Sequence, residues 1–143
     1  MPFPTRAEYE ALIYALGEDF PKRVVASTLR LYSTSALTAR VEGEVQFASG
    51  VRLHVAEFLD FRIGRILDYS YAVFLSDERI RWYDSQPHPE IPELVSTFPH
   101  HCHERPDIKN NRRPATGISF DSPNLPVLIA DCLELGETIS RNS

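Results

Sequence analysis

The sequence predicts an α+β protein: a twisted antiparallel β-sheet of about five strands with an N-terminal and a C-terminal helix. Apolar residues recur at helical intervals near both ends of the chain, and short β-branched and aromatic runs separated by turn residues lie between them. We expect a single domain over residues 1–143, with helices at about 5–17 and 124–136, a sheet at about 23–84 and a loop at about 85–116. A chain of 143 residues can bury a stable core without disulfides or metal.

The first predicted helix begins at a capping box. Thr5 and Glu8 have the spacing at which each side chain accepts a hydrogen bond from the other's backbone N–H. Apolar side chains follow at helical intervals: Tyr9, Leu12, Ile13, Leu16 and Phe20. Gly17 lies near the expected end of the helix, and Pro21 prevents its continuation.

Five strands are predicted after this helix, at residues 24–33, 38–48, 51–61, 65–75 and 79–83. Ser49-Gly50 and Ser76-Asp77 are typical hairpin turns. Connections this short favour an antiparallel meander.

The segment at 85–116 shows little periodicity. Six prolines lie from Pro87 to Pro114, together with four of the five histidines, which is typical of an ordered loop or an active-site excursion. A second amphipathic helix follows, with apolar residues at Leu125, Val127, Leu128, Ile129, Cys132, Leu133 and Leu135. We expect this helix to end near Gly136 and to bury Cys132 in the core.

Composition limits the function classes. The net charge of -5 does not fit a protein whose main task is unaided, nonspecific nucleic-acid binding. Two cysteines cannot build a disulfide framework, and without a secretory signal or a long apolar run we expect a reducing cytoplasm and no membrane contact. One basic group follows the histidines, either as a phosphate-binding patch or as a solvated loop: Arg105, Lys109, Arg112 and Arg113.

Side chains that can take part in catalysis or bind a metal are most concentrated at residues 100–103, where three histidines flank Cys102. Imidazole exchanges protons near neutral pH and is also the commonest metal ligand. Potential partners close the last predicted strand or follow it directly: Arg81, Tyr83, Asp84 and His88.

These side chains could cleave RNA without a metal. A general base would remove the 2′-OH proton, a general acid would protonate the leaving 5′ oxygen, and a cation would stabilise the phosphorane. We expect no metal or other cofactor. We predict that His101 and His103 are the acid/base pair, with His100 as an alternative partner. The pair could instead be His88 with His101. Tyr83 and Asp84 would orient the imidazoles, and Arg81 and Arg105 would contact phosphate.

Other interpretations stay open. The histidines could have a purely structural role, donating hydrogen bonds to loop carbonyls. A zinc site would combine Cys102 with His100, His101 or His103 and with His88, but no second knuckle has the usual spacing. Cys102 as a nucleophile lacks an accompanying oxyanion motif.

Three segments together resemble the TumE family of toxins from toxin–antitoxin pairs: Arg81-Trp82-Tyr83-Asp84, Pro87-His88-Pro89-Glu90 and residues 97–103. The likeness extends over about Leu53 to His103. The chain has Pro89 where that family usually has a second histidine, and Cys102 where it usually has lysine.

The resemblance implies a toxin that a cognate antitoxin neutralises, but it does not by itself establish the reaction. The histidine set predicts RNA, either free or on the ribosome, as the substrate. A likeness to the RelE and barnase-like ribonucleases is an analogy at the level of fold. The alternatives are a non-enzymatic module that binds a protein partner through its helices, and a toxin that modifies its target by group transfer.

Overall fold

The computed structural model describes residues 2–87 and 89–141 and confirms the α+β class. Helix α1 (Arg6–Tyr14) and the short helix α2 (Leu16–Asp19) precede the sheet, and α3 (Leu125–Arg141) follows it. The described residues form eight strands: β1 (Val24–Ser27), β2 (Arg30–Ser33), β3 (Thr38–Phe47), β4 (Val51–Asp60), β5 (Arg65–Leu75), β6 (Glu78–Asp84), β7 (His101–Glu104) and β8 (Arg112–Pro114). A 3₁₀ helix (Pro92–Thr97) lies between β6 and β7.

The predicted capping box is present at α1. Thr5 Oγ1 accepts from the Glu8 N–H at 3.2 Å, and Glu8 Oε1 accepts from the Thr5 N–H at 2.9 Å. The helix is interrupted at Ala15, and α2 adds one further turn that includes Gly17. The predicted start of the helix is therefore correct, but the structure has two helices where the sequence predicted one.

All strand pairs are antiparallel, in the order β1-β3-β4-β5-β6-β7-β8, with β2 also paired to β3. The prediction of one strand at 24–33 is wrong, because β1 and β2 are separated opposite Gly43. The backbone at Thr28 and Leu29 approaches Gly43 so closely that a Cβ there would lie 2.6 Å from the Thr28 carbonyl oxygen.

The prediction of a loop at 85–116 is also wrong in part, since the segment contains the 3₁₀ helix, β7 and β8. The four residues of β7 are mostly polar and show no strand pattern in the sequence. Their strand conformation comes from pairing with β6 and β8, in a register that places His101 opposite Asp84. This pairing positions the candidate site.

Helix α3 continues past Gly136 to Arg141. Gly136 is buried, and a Cβ there would lie 2.7 Å from Ser49 Oγ, so this glycine permits close packing on the β3–β4 hairpin and does not end the helix. No helix among the described residues has the length and apolar character needed to cross a bilayer.

The two faces of the sheet differ. One, the helix face, is apolar and buried beneath the helices, with Val45, Leu53 and Val73 fully covered and Cys132 of α3 packed in the same core, as predicted. The other, the open face, carries the alternate residues of the same strands, which are half-buried or exposed. The open face is rich in arginine and aromatic side chains.

Candidate active site

Asp84, His101 and His103 come together at the β6–β7 end of the open face. Asp84 and His101 are directly opposite each other, and His103 is opposite Trp82, two residues earlier on β6. Residues opposite each other in an antiparallel pair point to the same face, and so do residues two apart on a strand. The register therefore gathers one carboxylate and two imidazoles, which we call the Asp84 cluster.

The polar atoms of the Asp84 cluster form a triangle. His101 Nε2 lies 2.8 Å from Asp84 Oδ1, and His103 Nε2 lies 3.2 Å from Asp84 Oδ2. The two Nε2 atoms are 3.0 Å apart. Each pair is within hydrogen-bonding distance, so the cluster can hold and exchange protons among its three members.

The hydrogen bond to Pro99 indicates which nitrogen of His101 carries the proton. His101 Nδ1 lies 3.2 Å from the Pro99 carbonyl oxygen, which can only accept, so Nδ1 carries the hydrogen. In the neutral ring the Nε2 lone pair then points toward the Asp84 carboxylate.

Burial affects the protonation of His103. His101 and His103 expose 1% and 3% of their side chains, whereas Asp84 exposes 14%. Burial lowers the pKa of His103, and the Asp84 carboxylate partly opposes that shift. His103 thus favours the neutral form, which leaves a proton acceptor in the cluster.

The ring of His103 is held between strands. Trp82 stacks on it with centroids 4.4 Å apart, and the Arg79 guanidinium lies 4.8 Å from the Trp82 ring centroid. Arg112 lies opposite His103 on β8, and its positive charge also lowers the pKa of His103. These neighbours fix the imidazole and place positive charge beside it.

His100, although adjacent in sequence, has separate partners. Its Nδ1 lies 2.6 Å from the Tyr69 hydroxyl, and its ring packs 4.6 Å from Phe120. Burial lowers its pKa. His100 lines a cleft of about 530 Å³ with residues 96–99 and 116–121, so it belongs to a different environment from the Asp84 cluster.

Tyr83 and Arg81 lie on the helix face. The Tyr83 hydroxyl donates to Asp131 of α3 at 2.8 Å, and Arg81 lies 3.4 Å from Glu104. The structure therefore does not bring these two side chains to the imidazoles. The predicted role of His88 cannot be placed, because His88 lies outside the described residues.

Cys102 is also directed to the helix face, paired with Tyr83 across β6 and β7. Burial raises the pKa of its thiol to about 11, which keeps it protonated at neutral pH. Among the described residues, Cys102 is not part of any cluster of metal-ligating side chains. Asp84, His101 and His103 instead offer three ligand atoms that all lie within 4.8 Å of one another.

The predicted basic group is dispersed. Arg112 lies beside His103, whereas Arg113 pairs with Glu104 at 3.3 Å. Arg105 lies 3.5 Å from Glu78, and Lys109 is exposed. Of this group, the structure places Arg112 at the Asp84 cluster.

Sequence reasoning did not identify the arginine–aromatic pairs of the open face. Four guanidinium groups lie 4.8–5.6 Å from an aromatic ring centroid, in the pairs Arg30–Tyr32, Arg40–Phe58, Arg52–Phe74 and Arg79–Trp82. Two of the pairs join neighbouring strands, so they become visible only with the strand register. Together they run across the sheet toward the Asp84 cluster.

Comparison with known proteins identifies the family. The chain matches the family model described as Toxin TumE over residues 13–135, a range that contains every strand of the sheet and the Asp84 cluster. No curated protein and no solved structure matches the chain significantly. Membership of a toxin family implies a cognate antitoxin. This protein belongs to the TumE family of toxins.

Proposed function

We propose that this toxin cleaves RNA at the Asp84 cluster, by proton transfer and without a metal. The observation that supports the proposal is the convergence of His101, His103 and Asp84 within 3.2 Å of one another on the open face. Two imidazoles that share a carboxylate supply both a proton acceptor and a proton donor at neutral pH.

The chemistry uses the substrate's own nucleophile. A neutral imidazole Nε2 removes the 2′-OH proton, and the oxygen attacks the adjacent phosphorus. The bond from phosphorus to the 5′ oxygen breaks, and an imidazolium returns a proton to that oxygen. The products are a 2′,3′-cyclic phosphate and a 5′-hydroxyl, and the cluster ends with the number of protons it had at the start.

The spacing of the rings constrains this reaction. In-line attack places the entering and leaving oxygens on opposite sides of phosphorus, and two nitrogens 3.0 Å apart cannot flank it. We therefore assign both imidazoles to one proton-transfer unit beside the 2′ oxygen, in which Asp84 stabilises the imidazolium formed and water carries its proton to the leaving 5′ oxygen. Because the rings expose 1% and 3% of their side chains, cleavage also requires the cluster to open toward the substrate.

The open face supports single-stranded RNA as the substrate. Bases stack on aromatic rings and on guanidinium planes, and arginine also contacts phosphate. The pairs Arg40–Phe58 and Arg52–Phe74 offer both groups on neighbouring strands that lead toward β6. On a chain with a net charge of -5, such a local surface is what nucleic-acid binding requires.

The proposal includes a cytoplasmic location and a fold analogy to known ribonucleases. Both cysteines are free and buried, which fits a reducing cytoplasm. The likeness to RelE and barnase-like ribonucleases stays a prediction.

The test compares an RNA dinucleotide with its 2′-deoxy counterpart. We expect the native chain, treated with a chelator, to cleave only the ribonucleotide, and Asp84→Asn or His101→Asn to lose about 10²–10⁴-fold in rate. Asp131→Asn is the matched control, because Asp131 lies on the helix face. Cleavage of the deoxy substrate, or full activity of Asp84→Asn, would contradict the mechanism.

Induced expression in bacteria tests the same assignment in cells. Growth arrest with new RNA fragments from the native chain, and no arrest from His101→Asn/His103→Asn, supports the proposal. Arrest with intact RNA would instead indicate a toxin that modifies its target, and absence of arrest would indicate a binding module.

A further inference from the structure

We infer that Asp84, His101 and His103 form a binding site for one divalent transition-metal ion of the zinc class, and that the metal and the catalytic protons compete for the same atoms. The metal-binding part stands without the proposed ribonuclease activity, and the competition rests on it.

The three donor atoms already face a common point. His101 Nε2 lies 2.8 Å from Asp84 Oδ1, His103 Nε2 lies 3.2 Å from Asp84 Oδ2, and the two Nε2 atoms are 3.0 Å apart. Tetrahedral coordination with bonds of about 2.0–2.1 Å places neighbouring ligand atoms about 3.3 Å apart. The contacting pairs are within about 0.5 Å of that spacing, so small side-chain rotations bring the two imidazoles and one carboxylate oxygen around an ion.

The tautomer of His101 is the one that metal binding requires. Its Nδ1–H donates to the Pro99 carbonyl, so Nε2 offers its lone pair to the centre of the cluster. A histidine that binds a metal commonly donates its other N–H to a carbonyl or carboxylate, which orients the ring. The same contact here fixes His101 with its lone pair inward.

The ligand set selects the class of ion. Two imidazoles and one carboxylate suit zinc and neighbouring transition metals, whereas Mg²⁺ and Ca²⁺ prefer oxygen ligands. Three protein ligands leave one tetrahedral position open to water or to an anionic group. Cys102 does not contribute, because it lies on the helix face.

Burial and stacking hold the ligand side chains in place before an ion binds. His101 and His103 are nearly covered, and the Trp82 stack holds the His103 ring in place. A rigid ligand set loses little conformational entropy on binding, so affinity depends on the three donors and not on ordering of the chain.

Coordination has a direct consequence for the proposed reaction. An ion bound to both Nε2 atoms uses the lone pairs that would otherwise accept the 2′-OH proton. The metal-bound protein therefore lacks the general base, and removal of the ion restores it.

Binding is tested without RNA. Chelator-treated protein, residues 1–143, is titrated with Zn²⁺ by calorimetry and with Co²⁺ by visible absorption. We expect one ion per chain, a tetrahedral Co²⁺ spectrum and an increase in Tm that a chelator reverses. Asp84→Asn and His103→Asn should each weaken binding at least about tenfold, whereas Cys102→Ser and the exposed His54→Asn should bind as the native chain does.

Three outcomes would overturn the metal site: absence of stoichiometric Zn²⁺ binding by the native chain, equal binding of Mg²⁺, or unchanged binding by a folded His103→Asn variant. If His103→Asn does not fold, Asp84→Glu and the native chain's reversible rise in Tm still decide the question. Dinucleotide cleavage is measured separately with and without Zn²⁺. Cleavage that Zn²⁺ leaves unchanged despite binding would refute the competition, whereas absence of cleavage without metal would refute the proposed function and leave the binding result intact.

Discussion

The indole of Trp82 stacks on the imidazole of His103, with ring centroids 4.4 Å apart and planes inclined by 19°. The two residues are directly opposite each other on β6 and β7, so the contact connects the strand that ends at Asp84 to the strand that carries both imidazoles. Trp82 is thus a positioning residue for the Asp84 cluster.

Replacement of Trp82 should affect turnover more than substrate binding. Trp82→Leu removes the flat surface that holds the His103 ring, and misplacement of a proton-transfer group by about 1 Å can cost about 10²-fold in rate. We expect kcat on the dinucleotide to fall by about tenfold to hundredfold with KM little changed, and Trp82→Phe to restore most of the loss. A Trp82→Leu variant with native kcat would show that the stack does not position His103.

The arginines of the open face should determine the salt dependence of RNA binding. Arg40→Gln/Arg52→Gln removes two cations, each of which pairs with a neighbouring glutamate at 2.7–3.1 Å and would exchange that carboxylate for a phosphate on binding. We expect weaker binding of a labelled single-stranded RNA and a salt slope that is shallower by up to about 2, measured by anisotropy in an Asp84→Asn background that prevents cleavage.

Arg141→Gln is the control for this experiment, because Arg141 ends α3 on the opposite side of the sheet. If Arg40→Gln/Arg52→Gln has the same RNA affinity and salt slope as the protein that carries Asp84→Asn alone, the open face does not bind RNA.

Local signals in the sequence predicted the helices, but the composition of the site depended on long-range pairing. The capping box at Thr5 and the apolar spacing after Leu125 are contained in single segments. By contrast, β7 is recognisable as a strand only when it is paired with β6, about twenty residues earlier in the chain. The convergence of His101 with Asp84 could not be read from either segment alone.

The separation of Tyr83 from Asp84 follows from strand alternation alone. Neighbouring residues on a strand point to opposite faces, so Tyr83 and Asp84 cannot both reach the same imidazole once β6 is accepted as a strand. The same alternation separates Cys102 from His101 and His103. Which of the alternate residues faced the helices depended on the packing of α3, which brings Asp131 to Tyr83.

Tyr83 should therefore matter for stability and not for catalysis. Tyr83→Phe removes the hydrogen bond to Asp131 but keeps the buried ring, so we expect a loss of about 1 kcal/mol in the free energy of unfolding. Chemical denaturation measures that loss, and the dinucleotide assay should show a native kcat. A fall in kcat by a hundredfold or more at native stability would restore Tyr83 to the catalytic group that its sequence position indicated.

The buried carboxyl of Glu57 should make stability depend on pH. It accepts hydrogen bonds from Tyr9 of α1, at 2.7 Å, and from Tyr71, but burial dominates and raises its pKa above the usual 4.5. The folded chain then retains a proton that the unfolded chain releases from about pH 4.5 upward, so the free energy of unfolding falls as pH rises from there to the raised pKa, by at most about 1.4 kcal/mol per pH unit. Glu57→Gln should remove this contribution, and Glu18→Gln, at an exposed position, should keep it. Urea unfolding of the three proteins across that range measures the slope, and identical slopes in native protein and Glu57→Gln would mean that Glu57 is ionised in the fold.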